Sequence, residues 1–126
     1  MPLQLAVVLP TYNDRGNLRS LVARLDGALV GLEWEAIVVD DNSPDGTADE
    51  ARALALEHDR VRVLQRIGRR GLASAAIEGM LSTAAPHVAV VDAHHQHDPA
   101  LLPQMLARGS GGESDVAVAS RFVEGA

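Results

Sequence analysis

At 126 residues, with 47% hydrophobic and 22% charged residues, the chain suits a single domain with a buried core, and its composition excludes a disordered or fibrous protein. A formal net charge of −6 excludes nucleic acid, or an anionic membrane, held by bulk electrostatics, so any grip on phosphate has to be local. The absence of cysteine removes disulfides and thiolate metal sites and leaves histidine, carboxylate and amide as the strong ligands.

In chain order, Leu3 to Leu9 reads as a buried strand that Pro10 ends. Leu18, Leu21, Val22, Leu25 and Leu29 then recur at helical spacing, with Asn13 or Asp14 as the N-cap and Gly31 as the stop. Glu35 to Val39 is a second strand, and after "DDNSPDG" a helix is predicted from Thr47 to His58, with Ala51, Leu54 and Ala55 on one face. Val61 to Leu64 is a third strand, Gly71 to Ala84 a run of small helix formers, and Val88 to Val91 a fourth strand. Pro99 to Leu106 reads as a short helix that Asp98 caps, "RGSGGES" (Arg108 to Ser114) as a loop, and Val116 to Ala119 as a fifth strand. Strands alternating with helices imply an α/β domain spanning residues 1–126, a mostly parallel sheet flanked by helices on both faces. In such sheets ligands lie at the carboxyl ends of the strands.

Four polar segments follow apolar runs and fall at those ends: "PTYND", "DDNSPDG", "DAHHQH" and "SRF". Asn42 to Gly46 carries the residues that set turn dihedrals and cap a following helix. Asp40 and Asp41 differ, because adjacent carboxylates at a strand end repel unless something uses one of them, and a base amide or a cation would serve. Tyr12, the only tyrosine of the chain, suits either a face packed on a planar ligand or simple packing over the sheet edge. Three of the five histidines fall in "VVDAHHQHDP", a candidate metal site or a polar loop ahead of a helix.

In their order and spacing, "VVLPTYND", "EAIVVDDNSPDGT", "RRGLASAAIEGM", "VAVVDAHHQHDP" and "DVAVASRFVEGA" closely resemble family-two glycosyltransferases of the GT-A (Rossmann-like) fold. Within that family the resemblance is to the dolichol- or polyprenol-phosphate mannosyltransferases and kindred polyprenyl-phosphate glycosyltransferases. It implies a nucleotide-sugar site lined by Pro10, Tyr12, Asp14, Val39 and Asp41, with the Asp41 carboxylate reading the base edge and Asp40 structural. The fourth motif of the family, Asp-Ala-Asp-x-Gln-His, holds a divalent cation against the diphosphate. Here it reads Asp92, Ala93, His94, His95, Gln96 and His97, so the implied metal ligands are Asp92, His94 and Gln96, with Ala93 beside the nucleotide. Arg121 matches an arginine that reaches the phosphates, and with Asp92 and His94 it makes the implied catalytic set. Arg69 and Arg70 fall where relatives carry basic residues, or are solvated.

The implied reaction moves a sugar, mannose or glucose, from a nucleoside-diphosphate sugar to an acceptor such as polyprenyl phosphate, by metal-assisted displacement with inversion. A departing diphosphate needs its growing charge met by a cation and fixed donors, and an ionised lipid phosphate needs no general base. Two departures from the family pattern bear on this. His94 replaces the second aspartate, removes one negative charge, and favours Mn2+ over Mg2+; His95 and His97 read as exposed. Family members usually continue well past "SRFVEGA" with elements that close over the acceptor, so the resemblance covers the nucleotide-binding half, which a further segment or another subunit would complete. Both departures also suit a non-catalytic nucleotide-sugar-binding or regulatory module, which turnover would distinguish, or a structural domain without ligand, which sugar-nucleotide binding would distinguish. No apolar run reaches membrane-spanning length and no signal-peptide pattern opens the chain, so the expected location is the cytoplasm, or the cytoplasmic membrane face if the acceptor is a lipid.

Overall fold

A computed structural model of the chain describes residues 3–13, 15–68 and 71–91. Within them the elements run β1 (Leu5–Thr11), α1 (Arg15–Ala28), β2 (Trp34–Asp40), α2 (Thr47–Glu57), β3 (Val61–Gln65), α3 (Leu72–Leu81) and β4 (His87–Val90). The sheet is parallel throughout, in the order β3-β2-β1-β4. The helix expected at Pro99 to Leu106 and the strand at Val116 to Ala119 lie outside the described residues.

The two-residue period of the strands sorts side chains into two cores. Leu5, Val7 and Leu9 of β1 and Ala36 and Val38 of β2 face α1 and α2, meeting Leu18, Leu21, Val22, Leu25, Ala51 and Leu54. Ala6, Val8, Ile37 and Val39 face the opposite way and meet Ala75 and Ala76 of α3. Each buried branched side chain contributes about 1.5–3 kcal/mol relative to exposure, so the near-continuous apolar strands are what a sheet covered on both faces requires. Helix α3 sits close because its sheet-facing residues are small: a Cβ on Gly79 would lie 2.4 Å from Val8 Cγ1.

Pro10 does not end β1, which continues to Thr11. In a parallel ladder alternate residues bond to alternate neighbours. Val91 N donates to Val8 O while Asp41 N donates to Thr11 O, so the even-numbered residues of β1 turn their amides toward β4. The β4 ladder stops at Val8 paired with Val90. Among the described residues the missing N–H of Pro10 therefore interrupts no β1–β4 pair. From β1 the chain steps outward to β2 and β3, then crosses the other face on α3 to return beside β1 as β4. The reversal puts a topological switch point between β1 and β4.

Candidate functional site

At the carboxyl edge the strand period separates the two adjacent aspartates. Asp40 keeps phase with Ala36 and Val38 and turns to the α1–α2 side, fully buried. Its Oδ1 accepts from Thr11 Oγ1 at 2.8 Å and from Ser43 Oγ at 2.6 Å, and its Oδ2 accepts from Ser43 N at 2.9 Å. Asn13 N donates to Ser43 Oγ at 2.9 Å, so Asp40 and Ser43 tie the loop after β1 to the loop after β2. Asn13 and Asn42 both adopt left-handed backbone, at φ of 59° and 58°, which asparagine tolerates better than most residues.

Asp41 keeps phase with Ile37 and Val39 and turns to the α3 side. Although it lies at a strand end, Asp41 is only 8% exposed, because Arg66 covers it. Arg66 follows β3, is itself 1% exposed, and donates from Nε to Asp41 Oδ1 at 2.7 Å and from Nη2 to Asp41 Oδ2 at 3.1 Å. Nη2 also donates to Gly71 O at 3.1 Å, and Nη1 donates to Ser74 Oγ at 3.0 Å and to Glu78 Oε2 at 2.7 Å. Gly71 N returns a bond to Asp41 Oδ2 at 2.9 Å, at a φ of 124° that suits glycine. The hydrogen bonds that Arg66 donates to Asp41 raise the Arg66 pKa against its desolvation, with Glu78 adding to the effect, so the guanidinium stays charged although buried. The repulsion expected between Asp40 and Asp41 is thus resolved within the protein, by opposite faces and separate partners.

A third carboxylate serves two helices. Asp45 Oδ1 accepts from Thr47 N at 2.9 Å and from the Thr47 hydroxyl, at the start of α2, and its Oδ2 accepts from Arg15 N at 3.2 Å, at the start of α1. Two positive helix ends converge on one carboxylate. Desolvation acts against ionisation of Asp45, but the bonds from Thr47 and Arg15 outweigh it and hold its pKa below the ordinary value.

Of the residues the resemblance implies, Pro10 is buried, Tyr12 is half-buried just past β1, and Val39 is fully buried against α3, so Val39 has only its main chain to offer a ligand. Pro10, Tyr12 and Asp41 are brought to the ends of adjacent strands beside the switch point. Asp14, Asp92, Ala93, His94, Gln96 and Arg121 lie outside the described residues, as do Arg69 and Arg70. Among the described residues no group of three histidines or carboxylates is placed to hold a metal ion, and no helix is long and apolar enough to cross a membrane. Asp92, His94 and Gln96, the ligands that the resemblance implies, are a carboxylate, an imidazole and an amide, a donor set that would suit manganese. Arg66 was not singled out from the sequence. Its signal is its phase, two residues after Leu64, on the strand face that meets α3.

Comparison with known proteins gives a consistent picture. The family model for Glycosyl transferase family 2 matches residues 6–126. A dolichol-phosphate mannosyltransferase of Pyrococcus furiosus is 41% identical over 123 residues, 98% of this chain and 34% of that protein. A dolichol-phosphate mannosyltransferase of Saccharomyces cerevisiae is 33% identical over 109 residues, 84% of this chain and 41% of that protein. The chain thus spans about a third to two fifths of the length of these curated relatives. Among solved structures, a mannosyltransferase from Pyrobaculum calidifontis in complex with GDP-Man and Mn2+ superposes with a TM-score of 0.66 at 22% identity, over 82% of this chain and 31% of that one. Glucosyl-3-phosphoglycerate synthase from Mycobacterium tuberculosis, with Mn2+, UDP and glucosyl-3-phosphoglycerate, superposes with a TM-score of 0.70 at 24% identity, over 88% and 41%. At these identities the two structures establish the shared GT-A fold.

Proposed function

The chain belongs to glycosyl transferase family 2, and from that membership we propose that it binds the nucleotide of a nucleoside-diphosphate hexose and takes part in transfer of the hexose to a polyprenyl phosphate. The observation that carries this reading is the carboxyl edge beside the switch point, where Tyr12 and a rigidly held Asp41 stand at the ends of adjacent strands. Tyr12 offers a face for the nucleotide, and Asp41 an acceptor for a base N–H. Asp14, Ala93 and Arg121 complete the nucleotide site, with Arg121 at the phosphates. The relatives' names support a mannosyl donor and a lipid-phosphate acceptor, which would place the reaction at a membrane surface.

In the transfer, an acceptor phosphate oxygen attacks the anomeric carbon as the bond from that carbon to the diphosphate breaks. The electron pair leaves with the nucleotide and configuration inverts. The acceptor oxygen is already ionised, so no side chain has to remove a proton. A divalent cation on Asp92, His94 and Gln96 would supply positive charge to the leaving diphosphate.

Thermal melting with GDP, UDP, GDP-mannose and UDP-glucose, with and without MnCl2, tests the reading. A ligand present at one hundred times its Kd adds about 2.7 kcal/mol to stability. At least one nucleotide should raise the melting temperature, more so with manganese; if none does, the reading fails. Transfer of labelled hexose to polyprenyl phosphate then separates an enzyme from a module that only binds.

A further inference from the structure

The five N–H groups of Arg66 are all engaged: Nε and one Nη2 hydrogen on Asp41, the other Nη2 hydrogen on Gly71 O, and the two on Nη1 shared between Ser74 and Glu78. A buried guanidinium used this completely fixes the plane of the carboxylate it grips. On Asp41, Oδ2 accepts from Arg66 Nη2 and from Gly71 N, which fills both of its lone pairs, whereas among the described residues Oδ1 accepts only from Arg66 Nε. We infer that Arg66 is a positioning residue for donor recognition, holding Asp41 so that one acceptor position, on Oδ1, is presented to the nucleotide base.

This rests on the reading that Asp41 meets the base, and it adds how that contact becomes selective. A free carboxylate rotates and takes a donor in many directions. One locked by Arg66 and Gly71 accepts a ring N–H only along a single direction, so a base without an N–H there leaves a buried acceptor unmatched. Selectivity is thereby tied to α3, since Ser74 and Glu78 hold the far side of the guanidinium. A lysine at position 66 would keep the charge and lose the fork.

The test is calorimetric titration of GDP, UDP, ADP, CDP and pyrophosphate, with MnCl2, into the full chain and its Arg66→Lys, Glu78→Gln and Asp41→Asn variants, each checked by circular dichroism. The parent should prefer one base by about tenfold or more, the discrimination one matched donor provides. Arg66→Lys should erase most of that preference while leaving pyrophosphate within about twofold, and in the Asp41→Asn background it should cost no further selectivity. Should Arg66→Lys fail to fold, Glu78→Gln carries the test, with a smaller loss of preference in the same direction. A folded Arg66→Lys, or Glu78→Gln in its place, that keeps the parental preference reduces Arg66 to a staple between strands and helix and overturns the inference. A parent that binds nucleotides without base preference overturns it as well. A parent that binds no nucleotide sinks instead the functional reading beneath it.

Discussion

Asp40 and Asp41 are neighbours in sequence with opposite surroundings, and their substitutions should part accordingly. Removing the Asp41 carboxylate leaves Arg66 buried with Glu78 as its one remaining anionic partner. Breaking a buried pair from one side costs about 3–5 kcal/mol, so Asp41→Ala should lose stability on that scale. Asp41→Asn, which keeps hydrogen bonding, should lose about 1.5–3 kcal/mol, the range for a bond to a charged group. Urea denaturation reads both, and equal losses would mean that the hydrogen bonds kept by Asn contribute nothing and that the whole loss lies in the charge of Asp41. Asp45 yields a pH dependence. Its folded pKa is depressed, so its stabilisation is present above the unfolded value, near about 4, and is lost as pH falls through the lower folded value. Asp45→Asn still caps helices but cannot titrate. Its melting temperature should therefore fall less steeply than the parent's below about pH 4, and parallel acid limbs would assign the acid loss to other carboxylates. The turn chemistry of Asn42 to Gly46 was legible as a cap for α2, but the bond from Arg15 N to Asp45, spanning thirty positions, carries no local signal.

The elements themselves were largely legible, because apolar periodicity reports burial and burial decides which segments form strands and helices here. Trp34 to Asp40 and Val61 to Gln65 depart from expectation by a residue at one or both ends, where a ladder frays and sequence has least to say. Pro10 was misread as a stop because a proline's effect depends on which neighbour its nitrogen faces, and that is a property of the assembled sheet. Arg66 was missed for a related reason: the run "LQRIG" reads as a strand entering a solvated loop, and only the facing positions of Asp41 and Glu78 make its charge belong inside. The close approach of α3 to β1 gives a prediction at this scale. Gly79→Ala gains about 1 kcal/mol of helix propensity but puts a Cβ 2.4 Å from Val8 Cγ1, and overpacking of a core typically costs about 1–3 kcal/mol. The clash should win, with a net loss of up to about 2 kcal/mol. Val8→Ala removes the obstructing methyls, so the double variant should be more stable than the sum of the single losses predicts. Additive losses in denaturant titrations would place the cost of Gly79→Ala elsewhere.

For the whole molecule, charge is the governing constraint on how a diphosphate is held. The chain carries −6 and a nucleoside diphosphate is itself an anion, so long-range electrostatics oppose the encounter, and affinity has to come from short-range donors, base contacts and a bridging cation. Two consequences separate this arrangement from a basic phosphate binder. Raising salt from about 50 to 200 mM should leave nucleoside-diphosphate affinity unchanged or slightly improved, where a basic patch would lose affinity steeply. Removing divalent ions with a chelator should weaken the diphosphate far more than the corresponding nucleoside, which has no phosphates to bridge. The identity of the ion should then follow the ligand set. With His94 between Asp92 and Gln96, manganese should support tighter nucleotide binding than magnesium, because imidazole suits the softer ion. His94→Asp should bring magnesium up toward manganese by restoring an oxygen donor and a negative charge, and His94→Ala should weaken both ions without that shift. His97→Ala should change neither. Calorimetry of the diphosphate with each ion, at fixed pH, decides the matter. If His94→Ala matches the parent while His97→Ala loses the cation, the motif has been placed in the wrong register and the ion is held by other members of the histidine run.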